Sequence, residues 1–487
     1  MQRPAVLFSR LFIGNEFVES RAGKTFPVID PSTEAVICQV QEADAEDVDI
    51  AVKSARKAFA LNSPWRTMDA SQRGRLLYKL SDAIEENIEY LTRLEAMDAG
   101  KPLDSARGDI EFAVRTFRYF AGFADKLHGK VIPADGDVVC WTRREPVGVV
   151  GAIIPWNYPL DIIALKLAPA LCCGCTVVVK PAEETPLSAL FLGSLIKKVG
   201  FPPGVVNILP GFGETAGSAL ARHPHVNAVT FTGSTAVGRL IMQAAATNVK
   251  RLSLELGGKS PLIVFADADL HQAAEVAHEE VMGNAGQCCV AATRTYVEAS
   301  IYDDFVERLK VLAEKRTVGD PFETKAVQGP QINQVQFDKI LKYIELGKSE
   351  GARLVTGGHR VGQKGFFVAP TVFADVRDEM TIAREEIFGP VQVVIRFDTM
   401  EEVIARANDT FYGLGAGVFT SDMDKAMRMS EALQAGTVWI NSYNTSPPMA
   451  PFGGFKMSGL GREQGKEGLK FYTEIKTVSM PISIKNS

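Results

Sequence analysis

A chain of 487 residues is too long for one ordinary hydrophobic core, so two or three domains are expected. Its 46% hydrophobic and 23% charged content, with a formal net charge of -5 and no block of Lys and Arg, describes a globular protein and argues against a nucleic-acid or anionic-membrane surface. No apolar run reaches the ~18 residues of a membrane span. The seven cysteines, an odd number with two adjacent pairs, do not form a secreted disulfide framework. No signal peptide is legible at the N-terminus, so the expected compartment is cytoplasmic; a removed mitochondrial presequence would leave the same chain.

In chain order, residues 46–60 and 71–97 carry helical periodicity, the second through Leu76, Leu77, Leu80, Ile84, Ile88, Leu91 and Leu94. "VGVVGAIIP" (147–155) is a buried-type strand ending at proline. "CTVVVKPAEETP" (175–186) is a second, followed by a helix over 187–199, and "GVVNILPG" (204–211) and "NAVTFTGS" (227–234) are a third and fourth. Strands and helices alternating at about 25–30 residues predict parallel β-α-β units. "SPLIVFADADL" (260–270), "GAGVFTS" (415–421) and "TVWINS" (437–442) open and continue a second run. The expectation is an α/β protein of two lobes divided near Gly257–Gly258.

Several stretches carry chemistry. "GFGETAG" (211–217), which contains Gly213, and "FTGSTAVG" (231–238), with Gly233 and Ser234, are glycine turns after strands. A helix start with free N–H groups receives an anion there, although such turns are also common without a ligand. Lys180 and Glu183 fall just past a strand C-terminus, where open α/β sheets bind ligands. The bland reading is a solvated charge pair. The functional one is a ribose site whose carboxylate repels a 2′-phosphate and so favours NAD over NADP.

Glu255 lies between Leu254 and Leu256, a setting that raises a carboxyl toward the range of a general base unless backbone N–H groups tie it off. "ALCCGC" (170–175) has apolar neighbours and no partner histidine, which makes packing a better account than metal binding. Cys288 and Cys289 differ, because they follow the flexible Gly286 in "GNAGQCCVAA" and a thiol in such a turn can be exposed and activated. No histidine sits in a glycine-rich motif, so a Cys–His dyad has no support.

Taken together, these residues resemble the aldehyde dehydrogenase superfamily, and closely its animal class 1/class 2 branch of retinal and acetaldehyde dehydrogenases. The resemblance runs from "SPWRTMDASQRGRLLYKL" through "PWNYPL", "FTGSTAVG", "LELGGKSP", "GQCC", "EEIFGPV" and "PFGGFKMSG" to the terminal "KNS". It implies two Rossmann-like parallel-sheet lobes and a small β oligomerisation element. The NAD-binding domain would comprise 1–124 and 147–257, the catalytic domain 258–457, and the oligomerisation element 125–146 and 458–487. NAD-dependent oxidation of a small-molecule aldehyde to its acid, in a homotetramer, is the implied activity.

By the same resemblance Cys289 is the nucleophile, Glu255 the general base, and Asn157 with the Cys289 N–H the oxyanion hole. Lys166 and Glu463 would pass the base's proton to solvent. Ile153, Trp156, Lys180, Glu183, Gly213, Gly233, Ser234, Glu386 and Phe388 would contact the cofactor, and no metal is required. Phe112, Tyr158, Asp161, Leu165, Cys288, Val290, Ser446 and Phe452 would line the aldehyde tunnel. Relatives usually carry "WNFPL" with a tryptophan seven residues after the phenylalanine; here Tyr158 and Leu165 take those places and Asp161 lies between them. Asn444 and Ser446 likewise replace bulkier or acidic residues. The tunnel is therefore expected to be more polar than usual, which leaves aliphatic, retinal-like and amino-aldehydes open. Asp161 could also pair with Lys166 or favour the start of its helix. The competing readings are a catalytically silent, crystallin-type structural protein, which the intact reactive residues disfavour, and a CoA-acylating dehydrogenase, which would not need Glu255.

Overall fold

The computed structural model describes residues 2–323 and 326–483. Lys485–Ser487, the last motif of the resemblance, lie outside the described residues. The chain forms two large sheets. The first has eight strands in the order Gly459–Leu460, Arg251–Glu255, Ala228–Thr232, Val149–Ile153, Thr176–Lys180, Val206–Ile208, Leu11–Ile13, Glu16–Val18. Its five inner strands from Arg251–Glu255 to Val206–Ile208 are parallel. Every residue of Val149–Ile153 and Thr176–Lys180 is buried, as expected of strands covered by helices on both faces; this is why they are apolar runs without alternation.

From Val149–Ile153 the chain winds first toward Val206–Ile208 and then crosses to Ala228–Thr232 on the other side. The crevice beyond the C-terminal ends of these two strands is a topological switch point, the place where open α/β sheets bind ligands. The second sheet, in the order Arg353–Thr356, Thr371–Ala374, Val391–Phe397, Arg294–Glu298, Pro261–Val264, Gly415–Phe419, Thr437–Ile440, is parallel except for its first edge strand and repeats this winding. The α/β expectation with two parallel-sheet lobes holds. Among the described residues no helix is long and apolar enough to cross a membrane.

A small antiparallel sheet joins Val131–Ile132, Val138–Pro146 and Thr473–Pro481. The chain does not leave the first lobe for this sheet at residue 458. Gly459 and Leu460 pair with Glu255 and Leu254, and Leu469 and Tyr472 pack in the first lobe's core. From Thr473 the chain pairs along Val138–Pro146.

Two local expectations also need correction. The periodic run 71–97 is two helices, Ala70–Glu86 and Ile88–Ala99. Asn87 Nδ2 captures the Ala83 carbonyl at 2.7 Å, which an unbroken helix would offer to the Asn87 N–H, so the N–H turns to Ile84. "GFGETAG" is no phosphate loop of the usual kind. Gly213–Gly217 is a π-helical turn, with Gly217 N–H donating to the Phe212 carbonyl at 3.2 Å, and it runs directly into the helix Ser218–Arg222.

The first lobe's core is closed beside its central strands by Trp65, which is fully buried against Phe201 at a centroid distance of 5.9 Å. Its Nε1 donates to the carbonyls of Gly174 at 3.1 Å and Cys175 at 3.0 Å, fixing the turn that feeds Thr176–Lys180. Trp65→Phe strands these buried acceptors, a loss of about 1–3 kcal/mol. Thermal unfolding should fall by about 1–3 °C in a fluorescence melt, with dehydrogenase turnover at room temperature kept.

Candidate active site

The helix Leu270–Met282 ends in a turn of three consecutive left-handed residues, Asn284 (φ 48), Ala285 (φ 54) and Gly286 (φ 75). Two of the three are not glycine, so the turn is strained and must be held from outside. Gln331 Nε2 donates to the Ala285 carbonyl at 3.2 Å, and Gln287 Oε1 accepts from the Ile332 N–H at 2.9 Å. Asn284 Nδ2 donates to the Asn157 carbonyl at 3.0 Å, and Asn157 Nδ2 donates to the Gln287 carbonyl at 3.0 Å. A Cβ on Gly286 would lie 2.0 Å from the Gly389 carbonyl carbon, so that position requires glycine for space as well as for its φ.

This turn delivers Cys289 to the wall shared by two cavities. One, of about 200 Å³, is lined by Trp156, Asn157, Gly233, Ser234, Gly257, Gln336, Lys339, Glu386 and Phe388 as well as Cys289. The other, of about 450 Å³, holds Glu255, Glu463 and all eight expected tunnel residues, Phe112, Tyr158, Asp161, Leu165, Cys288, Val290, Ser446 and Phe452. Interaction with the Cys288 thiol, then burial, push the Cys289 thiol well above its ordinary value, and the nearby Glu386 and Glu255 carboxyls add to this.

Glu255 ends its strand buried, and neither carboxyl oxygen has a hydrogen-bond partner among the described residues. Burial, then the Glu463 charge, raise its carboxyl well above the usual range, against the pull of Lys166 and Arg462. Behind it, Lys166 Nζ donates to Glu463 Oε1 at 2.5 Å and to Thr230 Oγ1 at 3.1 Å, so these two distant residues form one buried ion pair. Asn157 Nδ2 donates to the Gln287 carbonyl, and the residue lines the smaller cavity; the amide has a second N–H to give.

In that cavity Glu386 Oε1 accepts from the Gly258 N–H at 3.0 Å, and a Cβ on Gly257 would fall 2.4 Å from Glu386 Oε2. Phe388 has φ 62 and meets the Trp156 ring edge-on at 5.4 Å, its carbonyl accepting from Gln336 Nε2 at 2.9 Å. Ser234 caps the helix Thr235–Ala245 through its Oγ, which accepts from the Val237 N–H at 3.3 Å. Not every expected cofactor residue lies on this wall. Lys180 Nζ reaches the Gly211 carbonyl at 2.7 Å and Glu183 Oε2 at 3.1 Å beyond the next strand, Gly213 is exposed nearby, and Ile153 is buried in its strand.

Gln336 and Lys339 were not foreseen. They belong to the helix Gln334–Ser349, which carries no motif and reaches the cavity only through the fold. Asp109 and Arg115 on the tunnel wall were missed for the same reason, although their spacing on one helix with Phe112 is a usable signal. Asp161 does not pair with Lys166, whose ammonium belongs to Glu463. It makes no hydrogen bond or ion pair among the described residues and faces the tunnel from the first turn of the helix Pro159–Cys172. Burial, then Asp109, raise its carboxyl well above the usual range, while Lys101 pulls it down. Lys101 itself is bonded to Asp109 and lies 3.7 Å over the Tyr158 ring.

The sequence profile of the aldehyde dehydrogenase family matches residues 17–478. Retinaldehyde dehydrogenase 3 of Homo sapiens is 58% identical over 99% of this chain and 94% of its own length. The cytosolic aldehyde dehydrogenase 1 of Mus musculus is 59% identical over 98% and 96% respectively. Among solved structures, the NAD+ complex of an aldehyde dehydrogenase from Bacillus cereus superposes with a TM-score of 0.97 at 48% identity, covering 98% of this chain and 97% of that one. With a strained turn placing a cysteine between two cavities, and likeness along nearly its whole length, this chain belongs to the aldehyde dehydrogenase family.

Proposed function

We propose that the protein oxidises an aldehyde to its carboxylic acid with NAD, through a covalent intermediate on Cys289. The observation that carries this reading is the position of that sulfur on the shared wall of the two cavities. The smaller cavity fits the nicotinamide end of a dinucleotide. Gly257 leaves no Cβ in front of Glu386, Trp156 and Phe388 supply flat apolar walls, and the start of the helix at Ser234 offers N–H groups to a pyrophosphate. Glu386 and Phe388 would hold the nicotinamide ribose and ring, and Lys180 and Glu183 the adenosine ribose. When bound, NAD supplies the hydride acceptor.

The chain's own residues do the rest. The Cys289 sulfur bonds to the aldehyde carbon as its proton passes to Glu255, and the carbonyl oxygen becomes an oxyanion held by the free Asn157 N–H and the Cys289 N–H. Loss of hydride from that carbon leaves a thioester on Cys289. Glu255 takes a proton from water, the hydroxide attacks the thioester, and the acid departs as the sulfur is restored. The Lys166–Glu463 pair carries the base's proton away. An assay of NADH formation over an aldehyde panel, with and without CoA, separates this reading from an acylating or a silent protein.

For substrate, we favour an aldehyde with a cationic or polar far end, an aminoaldehyde, over a plain aliphatic or retinal-like one. The support is Asp161, a carboxyl facing the tunnel with no cation of its own. A homotetramer, with the exposed edge strand Thr473–Pro481 pairing across a dimer, and a cytoplasmic location complete the proposal.

Three outcomes are expected. Cys289→Ala should abolish NADH formation while NAD binding persists, and Cys288→Ala should mainly shift KM; a dead Cys288 variant with an active Cys289 one would reverse the assignment. Wild-type turnover should rise with pH through a value above the ordinary carboxylate range, because Glu255 works ionised and its carboxyl is raised. Glu255→Gln should erase that limb and lower turnover by on the order of 10²–10⁴, and full activity at neutral pH would rule out the base. Asp161→Leu should weaken aminoaldehydes about tenfold or more, the worth of a charge-assisted bond, while leaving or improving kcat/KM for hexanal and retinal. A uniform change across the panel would make Asp161 structural.

A further inference from the structure

Thr230 stands in the middle of the strand Ala228–Thr232, fully buried, and the mechanism above gives its hydroxyl no task. It closes a triangle with the buried ion pair behind Glu255. Lys166 Nζ donates to Thr230 Oγ1 at 3.1 Å, Thr230 Oγ1 donates to Glu463 Oε1 at 3.3 Å, and Lys166 Nζ donates to the same Oε1 at 2.5 Å. The members come from a strand of the first sheet, from the helix Pro159–Cys172 and from the loop before the short helix Gly465–Gly468. Both bonds to the Glu463 side chain fall on Oε1. Its Oε2 accepts none among the described residues, and the residue lines the tunnel cavity together with Glu255.

The two carboxyls are neighbours through the backbone as well. The Glu463 N–H donates to the Phe452 carbonyl at 2.7 Å and the Phe452 N–H to the Glu463 carbonyl at 2.8 Å, and Gly453 follows Phe452. A Cβ on Gly453 would lie 3.0 Å from Glu255 Oε1, so the segment that pairs with Glu463 also abuts the base. The chemistry gives this proximity a use. Glu255 takes one proton as the Cys289 sulfur adds to the aldehyde, and it has to take a second from water. Between those steps the first proton must leave, or the second step has no base. A carboxylate held by the lysine alone offers it either oxygen. The Thr230 hydroxyl accepts from the ammonium and donates to Oε1, which commits that oxygen to the pair.

We propose that Thr230 is a positioning residue for proton release, its hydroxyl fixing Glu463 Oε1 on Lys166 and so leaving Oε2 to receive the proton of Glu255. This rests on the base role given to Glu255 above. The Glu255 O–H bond breaks, an O–H bond forms at Glu463 Oε2, and the Lys166 ammonium keeps its protons and its charge. Glu463 then gives the proton to solvent, and both carboxylates are restored before water is attacked.

The test is a single turnover with the full chain in excess over hexanal at saturating NAD. NADH is followed by absorbance and released protons by a pH indicator in weak buffer. In Thr230→Val, NADH should form within about twofold of the wild-type rate, while protons appear about tenfold more slowly, the worth of one hydrogen bond to a charged group. Thr230→Ser, which keeps the hydroxyl, should restore the wild-type proton rate. Signals that keep their wild-type timing in Thr230→Val, or that slow together, would overturn the proposal, as would a serine variant no faster than the valine one. Should the valine variant not fold, Thr230→Ala carries the same comparison. Glu255→Gln distinguishes the two readings. Full turnover by that variant removes the base role, and with it the basis of the proposal. A slow Glu255→Gln enzyme beside a Thr230→Val enzyme without the proton delay removes the threonine's role alone.

Discussion

Two hydrogen bonds between loops of different lobes hold the reacting sulfur in place: Asn157 Nδ2 to the Gln287 carbonyl, and Asn284 Nδ2 to the Asn157 carbonyl. Left-handed Asn284 and Ala285 cost of order 1–3 kcal/mol each, and such a turn persists only where its surroundings over-determine it. The cross-lobe bonds, with Gln331 on the Ala285 carbonyl and Ile332 on Gln287, provide that. The same bonds orient Asn157, so the positions of Cys289 and Asn157 are set by one contact. The two cavities meet at Cys289, where the C-terminal ends of the first sheet's strands face the segments that lead into the second sheet's strands.

Around that contact the fold buries acids and gives each a different partner. Glu386 accepts the Gly258 N–H, whereas Glu255 has no hydrogen-bond partner among the described residues, and burial raises both carboxyls. Glu95 and Asp98, one turn apart on Ile88–Ala99, do structural work. Glu95 Oε2 accepts from the Leu160 N–H at 3.3 Å, and Asp98 Oδ2 from the Leu187 N–H at 2.9 Å. These helices, Pro159–Cys172 and Leu187–Val199, have no side-chain cap of their own. Carboxyls at their first turns complement the helix dipoles and anchor the loops that carry Asn157 and Glu183.

The strands of both sheets were legible because burial on both faces leaves unbroken apolar runs bounded by glycine and proline, and 149–153 and 176–180 are the clearest cases. Cys289, Glu255 and Asn157 were legible because each stands in a motif whose neighbours are constrained, as Gly286 is by the Gly389 carbonyl. What sequence reading lost depends on single side-chain bonds or on distant packing. Asn87 breaks a periodic helix by taking one carbonyl, and periodicity does not register that. Gln336 and Lys339 reach the cofactor cavity from a helix whose own pattern is merely amphipathic. The return of 459–472 to the first lobe follows from pairing with the base strand, a non-local contact invisible in a short window.

The tunnel is built on a different principle from the reaction centre. Cys289 and Glu386 sit on turns where Gly258 and Gly257 leave no room for a Cβ, and Asn157 is fixed by its bonds to the Cys289 turn. The tunnel wall, by contrast, is one face each of Leu103–Ala121 and Pro159–Cys172, completed by the loop at 444–447. A helix keeps its backbone when a face residue changes, so this wall can vary without moving the sulfur. The wall is not uniformly free, however. Tyr158 is held under the Lys101 ammonium and Lys101 is held by Asp109, so that corner is rigid and its charge is balanced internally. Asp161, one helical turn on from Tyr158, has no such partner among the described residues, and Leu165 lies on the same helix face beside it. A buried carboxyl without a hydrogen-bond partner thus faces the cavity beside Leu165. Within this wall the carboxyl without a partner is therefore at Asp161, on a helix face whose backbone is independent of the turn that carries Cys289.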